Sequence, residues 1–259
     1  MESTCSIENE QYEHAVARVG TKVGGKWTLK RILGVGGMAA VFDAEHDNGR
    51  RVAIKVLHPE LSHVAEAKER FLDEAYIANH VAHGGTVPAL DDGITEDGTP
   101  FLVLELLEGE TLQNRWQRSG HVLPVLDVFL LVEPLLGILE ASHEKGIIHR
   151  DIKPDNIFVT VTGEIKLLDF GIARMAESQR NVKTQIGATM GTPEYMAPEQ
   201  ARGRWEEVDE QSDIWSVGAT MFALVCGRMV HEAVSRGRAR RHSRCQRGRH
   251  GHCVTQYLV

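Results

Sequence analysis

Apolar and polar positions change period several times along this chain, and each change marks an element. Trp27, Leu29 and Arg31 alternate with Thr28, Lys30 and Ile32, a two-residue period that predicts a strand. A second strand follows near Val41-Phe42, and Val52-Ala53-Ile54-Lys55 reads as an apolar strand carrying one lysine. Val64, Ala67, Phe71, Ala75, Ala78 and Ala82 then recur at helical spacing, the signature of an amphipathic helix. Pro100 to Gly109 reads as a strand running into a connecting segment. From there the chain turns helical. Pro124 to Lys145 reads as one helix with Pro134 inside it, and an interior proline, costing roughly 3 kcal/mol, predicts a kink or break. Gly146-Ile147-Ile148 and Ile157-Phe158-Val159 read as short buried strands flanking a polar loop. Ile172 to Thr192 has little period, whereas Asp209 to Gly218 opens a helix whose apolar run, Val217 to Cys226, implies central burial.

The polar loop carries the chemistry. His149-Arg150-Asp151-Ile152-Lys153-Pro154-Asp155-Asn156, followed by Asp169-Phe170-Gly171, places two carboxylates, a lysine and an amide at the spacing phosphoryl transfer needs. Asp151 suits acceptance of a hydroxyl proton, Asp169 and Asn156 suit holding magnesium, and Lys153 can neutralise charge near the transferred group. Upstream, Leu33-Gly34-Val35-Gly36-Gly37-Met38-Ala39-Ala40-Val41 lies between two strands. Its small residues allow backbone donors to approach phosphates closely. Lys55 on an otherwise apolar strand needs an anionic partner. Glu74, three residues after Phe71 and four before Ala78, sits on the inward face of the helix and supplies one.

These segments resemble the eukaryotic-type protein kinases, whose signatures are H-R-D-L-x-x-x-N, D-F-G, V-A-I-K and G-x-G-x-x-G-x-V. The resemblance implies a two-lobed α+β fold, a small lobe of antiparallel sheet plus one helix over residues 27–105 and a mainly helical large lobe over residues 106–230, after an N-terminal extension of residues 1–26. It implies ATP and Mg2+ as cofactors, with the glycine-rich segment, Ala53, Lys55 and Glu74 around the nucleotide. Ala39 stands where the pattern has its third glycine. By the same resemblance Leu104 is the gatekeeper, the backbone of Glu105 and Leu107 faces adenine, and Glu110 reaches toward ribose. Residues 172–192 become an activation segment closed by Ala197-Pro198-Glu199, with Thr184 and Thr189 as phosphosites, Ser178 a weaker one, and Arg150 able to pair with the added phosphate. Lys153 marks serine/threonine specificity, and Asp213 fixes the backbone of the catalytic loop. Gly-Gly-Met in the nucleotide loop and Glu199-Gln200-Ala201-Arg202-Gly203 point to the bacterial eukaryotic-like branch. The implied partner is a protein offering a serine or threonine hydroxyl.

Composition sets the bounds. With 259 residues and 42% hydrophobic content the chain can build a core, and a net charge of −7 argues against specific nucleic-acid binding. No apolar run approaches the roughly 20 residues of a membrane span, the N-terminus is polar and acidic, and Cys5, Cys226, Cys245 and Cys253 form no disulfide framework, so a reducing cytoplasm is expected. From Met229 the character changes. His231 to Val259 holds seven arginines against the single acid Glu232, and such a segment cannot bury a core and is expected to be disordered. The motif resemblance stops near Arg228, where helices αG to αI are expected, so the large lobe reads as incomplete. A shifted reading frame or truncated product accounts best for this tail. A basic arm for nucleic acid or acidic partners, and a metal site from His242, Cys245, His250, His252 and Cys253, are the alternatives. Loss of those helices is expected to expose apolar faces on the two long helices and to leave Glu199 without its partner, so a nucleotide-binding module without turnover competes with an active kinase.

Overall fold

The computed structural model describes residues 2–170 and 193–231, with side chains from Asn9 onward. The candidate phosphosites and the tail residues His242, Cys245, His250, His252 and Cys253 lie outside the described residues. The chain opens with α1 (Glu2–Arg18), then β1 (Lys22–Val23), β2 (Trp27–Val35), β3 (Ala39–His46) and β4 (Arg51–Leu57). Next come α2 (Ala65–Val81), β5 (Ala89–Ile94) and β6 (Pro100–Leu104). The six strands form one antiparallel sheet in the order β1-β2-β3-β4-β6-β5. Beyond it lie β7 (Gly109–Thr111), α3 (Leu112–Arg118), α4 (Val125–His143), β8 (Ile157–Thr160), β9 (Ile165–Leu167), the short α5 (Pro198–Ala201) and α6 (Glu210–Cys226). The expected α+β fold, an antiparallel sheet with one helix followed by a mainly helical part, is what forms, with α1 before it and a small sheet of β7, β8 and β9 among the later helices.

The register of β2 explains which residues reach the cleft. Its pairing with β3 shifts between Leu29 and Arg31 and again between Ile32 and Gly34. Each bulge inserts one unpaired residue and reverses the facing of the residues beyond it. Trp27 and Leu29 therefore pack on the outer core with Phe42, Ile54 and Ala15 of α1, while Leu33 turns to the opposite face beside Val41 and Ala53. The simple alternation read from sequence holds only for the first three residues of the strand. Residues before Trp27 also join this layer, since Ala15 and Val23 are buried in the outer core.

On the inner face α2 buries Ala67, Phe71, Ala75, Ala78 and Val81. Val64 and Ala82 are its two caps, Ala82 in the left-handed region at φ 51°, so Val81 rather than Ala82 ends the apolar stripe. The large-lobe core is built from α4 and α6 with Ile152, Ile157, Leu167 and Phe170. Two expectations need correction. α4 runs unbroken through Pro134, which lies on the exposed side, where water can satisfy the carbonyl freed one turn earlier. Gly146-Ile147-Ile148 forms no strand. The Ile147 amide donates to Ser142 O at the end of α4 (3.0 Å), and the His149 amide to Asp213, so no neighbouring strand takes these groups.

α6 starts at an Asp209 cap whose side chain accepts from the Gln211 amide at 2.9 Å. It stops at Gly227 (φ 69°), where a Cβ would sit 2.8 Å from His121 O. Glu199 is not left unpartnered. Its Oε1 accepts from the Ser212 hydroxyl in the first turn of α6, where the helix dipole favours an anion. The exposed apolar faces do occur: Leu126, Phe129 and Leu130 on α4 are 77%, 58% and 71% exposed, and Ile214 and Trp215 on α6 are also exposed.

Candidate active site

Asp213 organises the polar loop from below. Fully buried, it accepts from the His149 amide through Oδ2 and from the Arg150 amide through Oδ1, each at 2.8 Å, and its Oδ2 also meets His143 Nε2 at 2.8 Å. Arg150 sits in the left-handed region at φ 67°, a conformation that persists only where surrounding contacts hold it. His149 is buried, and burial lowers its pKa, so the ring is neutral. Its Nδ1 accepts from the Asp151 amide (3.3 Å), which leaves Nε2–H to donate to Leu168 O at 2.9 Å. One imidazole thus ties the loop to the strand that leads into Asp169. Gln200, which the motif reading did not assign, donates from Nε2 to Arg150 O at 2.9 Å and braces the same loop from α5.

Asp151, Lys153 and Asn156 converge as expected. Lys153 Nζ lies 3.1 Å from Asp151 Oδ2. Asn156 Nδ2 donates to Asp151 O (2.8 Å) and to Asp151 Oδ2 (3.2 Å). With its NH2 group committed there, the amide oxygen of Asn156 is the part left to accept a proton or a metal.

The second cluster joins the lobes. Lys55 Nζ donates to Glu74 Oε1 at 2.8 Å and to Asp169 Oδ1 at 2.7 Å. Asp169 is itself left-handed, at φ 48°. Burial disfavours charge on all three groups. For Lys55 the two carboxylates overcome that penalty and hold the pKa above its ordinary value. Burial, reinforced by the neighbouring Asp169, pushes Glu74 up to about 8. Asp169, despite burial, is held down to about 2 by Lys55 and by a hydrogen bond from Glu74. The negative charge of the trio is therefore concentrated on Asp169.

Between the lobes lies a cavity of about 340 Å3. Its roof is Leu33, Val41 and Ala53, its floor Phe158 and Leu168, and its back the connecting segment from Leu104 through Glu105 and Leu107 to Gly109. Apolar walls with a few backbone polar groups suit a flat aromatic base. Of the nine-residue glycine-rich segment only Leu33 and Val41 line this cavity. Val35 and Ala40 pack on the outer face, Ala39 and Met38 on the core beneath α2, and Gly34 pairs with Val41 in the sheet. Glu110 does not line the cavity. It pairs with Arg115 (3.1 Å) and Arg118 (2.7 Å) of α3, which corrects the ribose expectation. Sequence reasoning missed Val87, Phe158 and Leu168, which line the cavity and carry no motif of their own. It also missed Arg31 and Arg51 at the rim, both bonded to buried Asp43 (3.0 and 2.6 Å). Only the cross-strand register brings those three together.

Asp169 and Asn156 offer the hard oxygen donors that magnesium prefers, and the described residues contain no cluster of three or more His, Cys, Asp and Glu side chains placed to hold a metal ion. With an apolar slot, a lysine gripped by two acids and a braced carboxylate loop in one cleft, this is the architecture of a phosphotransferase of the protein kinase class. The chain belongs to the protein kinase domain family, which it matches over residues 27–252, past the point where the motifs end. It is 39% identical over 217 residues to a probable serine/threonine-protein kinase PknB of Corynebacterium glutamicum, covering 82% of this chain and 33% of that protein. It is 42% identical over 221 residues to serine/threonine-protein kinase PksC of Streptomyces coelicolor (82% and 39%). To serine/threonine-protein kinase PknA of Mycobacterium tuberculosis it is 38% identical over 216 residues (82% and 49%). The chain thus spans a third to a half of these relatives. Among solved structures it is similar to the Mycobacterium tuberculosis PknI kinase domain, with a TM-score of 0.63 at 27% identity, over 85% of this chain and 80% of that one. No helix among the described residues is long and apolar enough to cross a membrane.

Proposed function

We propose that this chain binds Mg·ATP in the interlobe cleft and transfers the γ-phosphoryl group to a serine or threonine hydroxyl of a protein. The observation that carries this reading is the placement of Asp151, with Lys153 and Asn156 around it, joined through the β8–β9 hairpin to the Lys55–Asp169–Glu74 cluster. Asp151 orients the acceptor hydroxyl and takes its proton, because its carboxylate is fixed by Asn156 and faces the only lysine of the loop. Lys153 offsets charge on the group in flight. Lys55 places the α and β phosphates, and Leu33, Ala53 and Leu104 enclose the base. Magnesium, held by Asp169 and Asn156, would supply charge neutralisation across the phosphates.

Regulation through autophosphorylation of Thr184 and Thr189, and residence in the cytoplasm, belong to the same proposal. One observation favours a second reading, a nucleotide-binding module without turnover: the open apolar face of Leu126, Phe129 and Leu130 on α4. Radiolabelled ATP incubated with the purified chain and a generic protein acceptor separates the two. Label in the acceptor, abolished by Asp151→Asn, supports the kinase. Bound ATP without label supports the module, and no bound ATP in a folded sample overturns both.

A further inference from the structure

The turn at the tip of the glycine-rich segment is held from outside by donors that belong to no nucleotide-binding motif. His58, buried at the end of β4, directs Nε2 at Gly36 O (2.7 Å) and its own amide at Met38 O (2.8 Å). A carbonyl only accepts, so this Nε2 carries a hydrogen. The carbonyl between them, Gly37 O, accepts from Gln11 Nε2 at 3.4 Å. Gln11 comes from α1, which lies before the residues matched by the kinase family. That helix is docked on the small lobe by buried Ala15, by Arg18 on Asp97 (2.7 Å) and by His14 beside Glu60 (2.9 Å). The latch on Gly37 therefore comes from outside the residues matched by the kinase family.

Planarity turns these outward bonds into an inward consequence. In a trans peptide the C=O of one residue and the N–H of the next point in opposite directions, and every described peptide here is trans. Tying Gly36 O and Gly37 O to His58 and Gln11 turns the amides of Gly37 and Met38 away from those donors. Neither amide donates to another backbone group among the described residues. Ala39, where a third glycine would give freedom, is instead buried and starts β3. The turn is thus stiff on its exit side and latched on its outer side.

We propose that His58 and Gln11 are positioning residues that hold the Gly36-Gly37-Met38 turn so that its amides meet the triphosphate of the nucleotide. The inference rests on the ATP reading above. The test uses the full chain with Mg·ATP and with adenosine as separate ligands, plus hydrogen exchange of residues 36–39 in the ligand-free protein. His58→Phe keeps the ring and removes the donor, whereas His58→Gln returns a donor near Nε2. Expected are a three- to tenfold weaker Kd for Mg·ATP in His58→Phe, about one net hydrogen bond's worth, an unchanged Kd for adenosine, faster exchange at the turn, and recovery in His58→Gln. Gln11→Ala, at an exposed and longer contact, should shift both readouts the same way by about twofold and keeps the test open if His58→Phe does not fold. Equal losses for ATP and adenosine, or unchanged exchange at the turn, overturn the proposal. A wild-type chain that binds neither ligand sinks the nucleotide reading instead, and the exchange measurement still decides the latch.

Discussion

Replacing Asp213 by alanine removes a fully buried side chain that ties the polar loop to the large-lobe core. Its two carboxylate oxygens accept from the His149 and Arg150 amides, both at 2.8 Å, and Oδ2 also meets His143 Nε2. A hydrogen bond to a charged group contributes about 1.5–3 kcal/mol, and a buried donor left unmade costs about 1–3 kcal/mol. The bonds share one carboxylate and do not add in full, so we expect a loss of about 3–5 kcal/mol. That is a large share of the roughly 5–15 kcal/mol by which a domain is stable. Arg150 has a second reason to move, since its φ of 67° is held by these contacts. Urea unfolding of both proteins, followed by tryptophan fluorescence, reads the difference through the midpoint. Asp213→Asn should fall between them, because the amide keeps one acceptor but turns a donor toward a backbone N–H. A loss below about 1 kcal/mol for Asp213→Ala would show that the loop is held by packing and refute the reasoning.

Glu74 gives a pH prediction. A carboxyl whose pKa rises from 4.5 to about 8 on folding binds more protons in the folded state between those values, so stability falls as pH rises through that window, by at most about 1.4 kcal/mol per unit. Glu74→Gln should flatten the slope of urea midpoint against pH from 5 to 8. Asp169 works in the opposite sense: held down to about 2 from 3.8, it adds stability above pH 3.8 that is lost as pH falls toward 2, and Asp169→Asn should remove that acid limb. Gly109→Ala should weaken ATP binding at least tenfold, since a Cβ there would sit 2.1 Å from Val159 O at the back of the cavity; an unchanged Kd measured by calorimetry would count against the fit. Phe129→Ser with Leu130→Ser should reduce light scattering of the concentrated protein and leave its melting temperature within about 2 °C, as expected for exposed positions.

Legibility in the sequence tracks the range of each interaction. Asp151, Lys153 and Asn156 lie within six residues, and their convergence needs only a loop of the right length. Lys55, Glu74 and Asp169 were also legible, though far apart, because a lysine on an apolar strand and an acid on an apolar helical stripe each require a partner. That Lys55 holds Asp169 as closely as Glu74 was not. The facing of Leu33 and Val35 was lost to two bulges in β2, which leave no mark in the residues themselves. Glu110 was misplaced because its arginine partners lie on the following helix, and Glu199 because the hydroxyl that caps it belongs to α6.

The site is assembled from two halves with different anchors. Asp213 and Gln200 fix the loop bearing Asp151 from within the large lobe, while α2 carries Glu74 and β4 carries Lys55 in the small lobe. The segment Leu168-Asp169 bonds to both, through the Leu168 amide on Asn156 O, its carbonyl on His149, and Asp169 on Lys55, and α2 also packs Ala78 and Val81 into the large-lobe core. Loosening either anchor therefore has separable effects. Asp213 substitutions should disturb Asp151 before nucleotide affinity, and Glu74 substitutions should disturb affinity before the fold of the loop. Lys55 and Asp151, to which the proposed reaction gives the phosphates and the proton, are linked through Leu168-Asp169, and two left-handed residues lie on this route, Arg150 beside Asp151 and Asp169 beside Leu168.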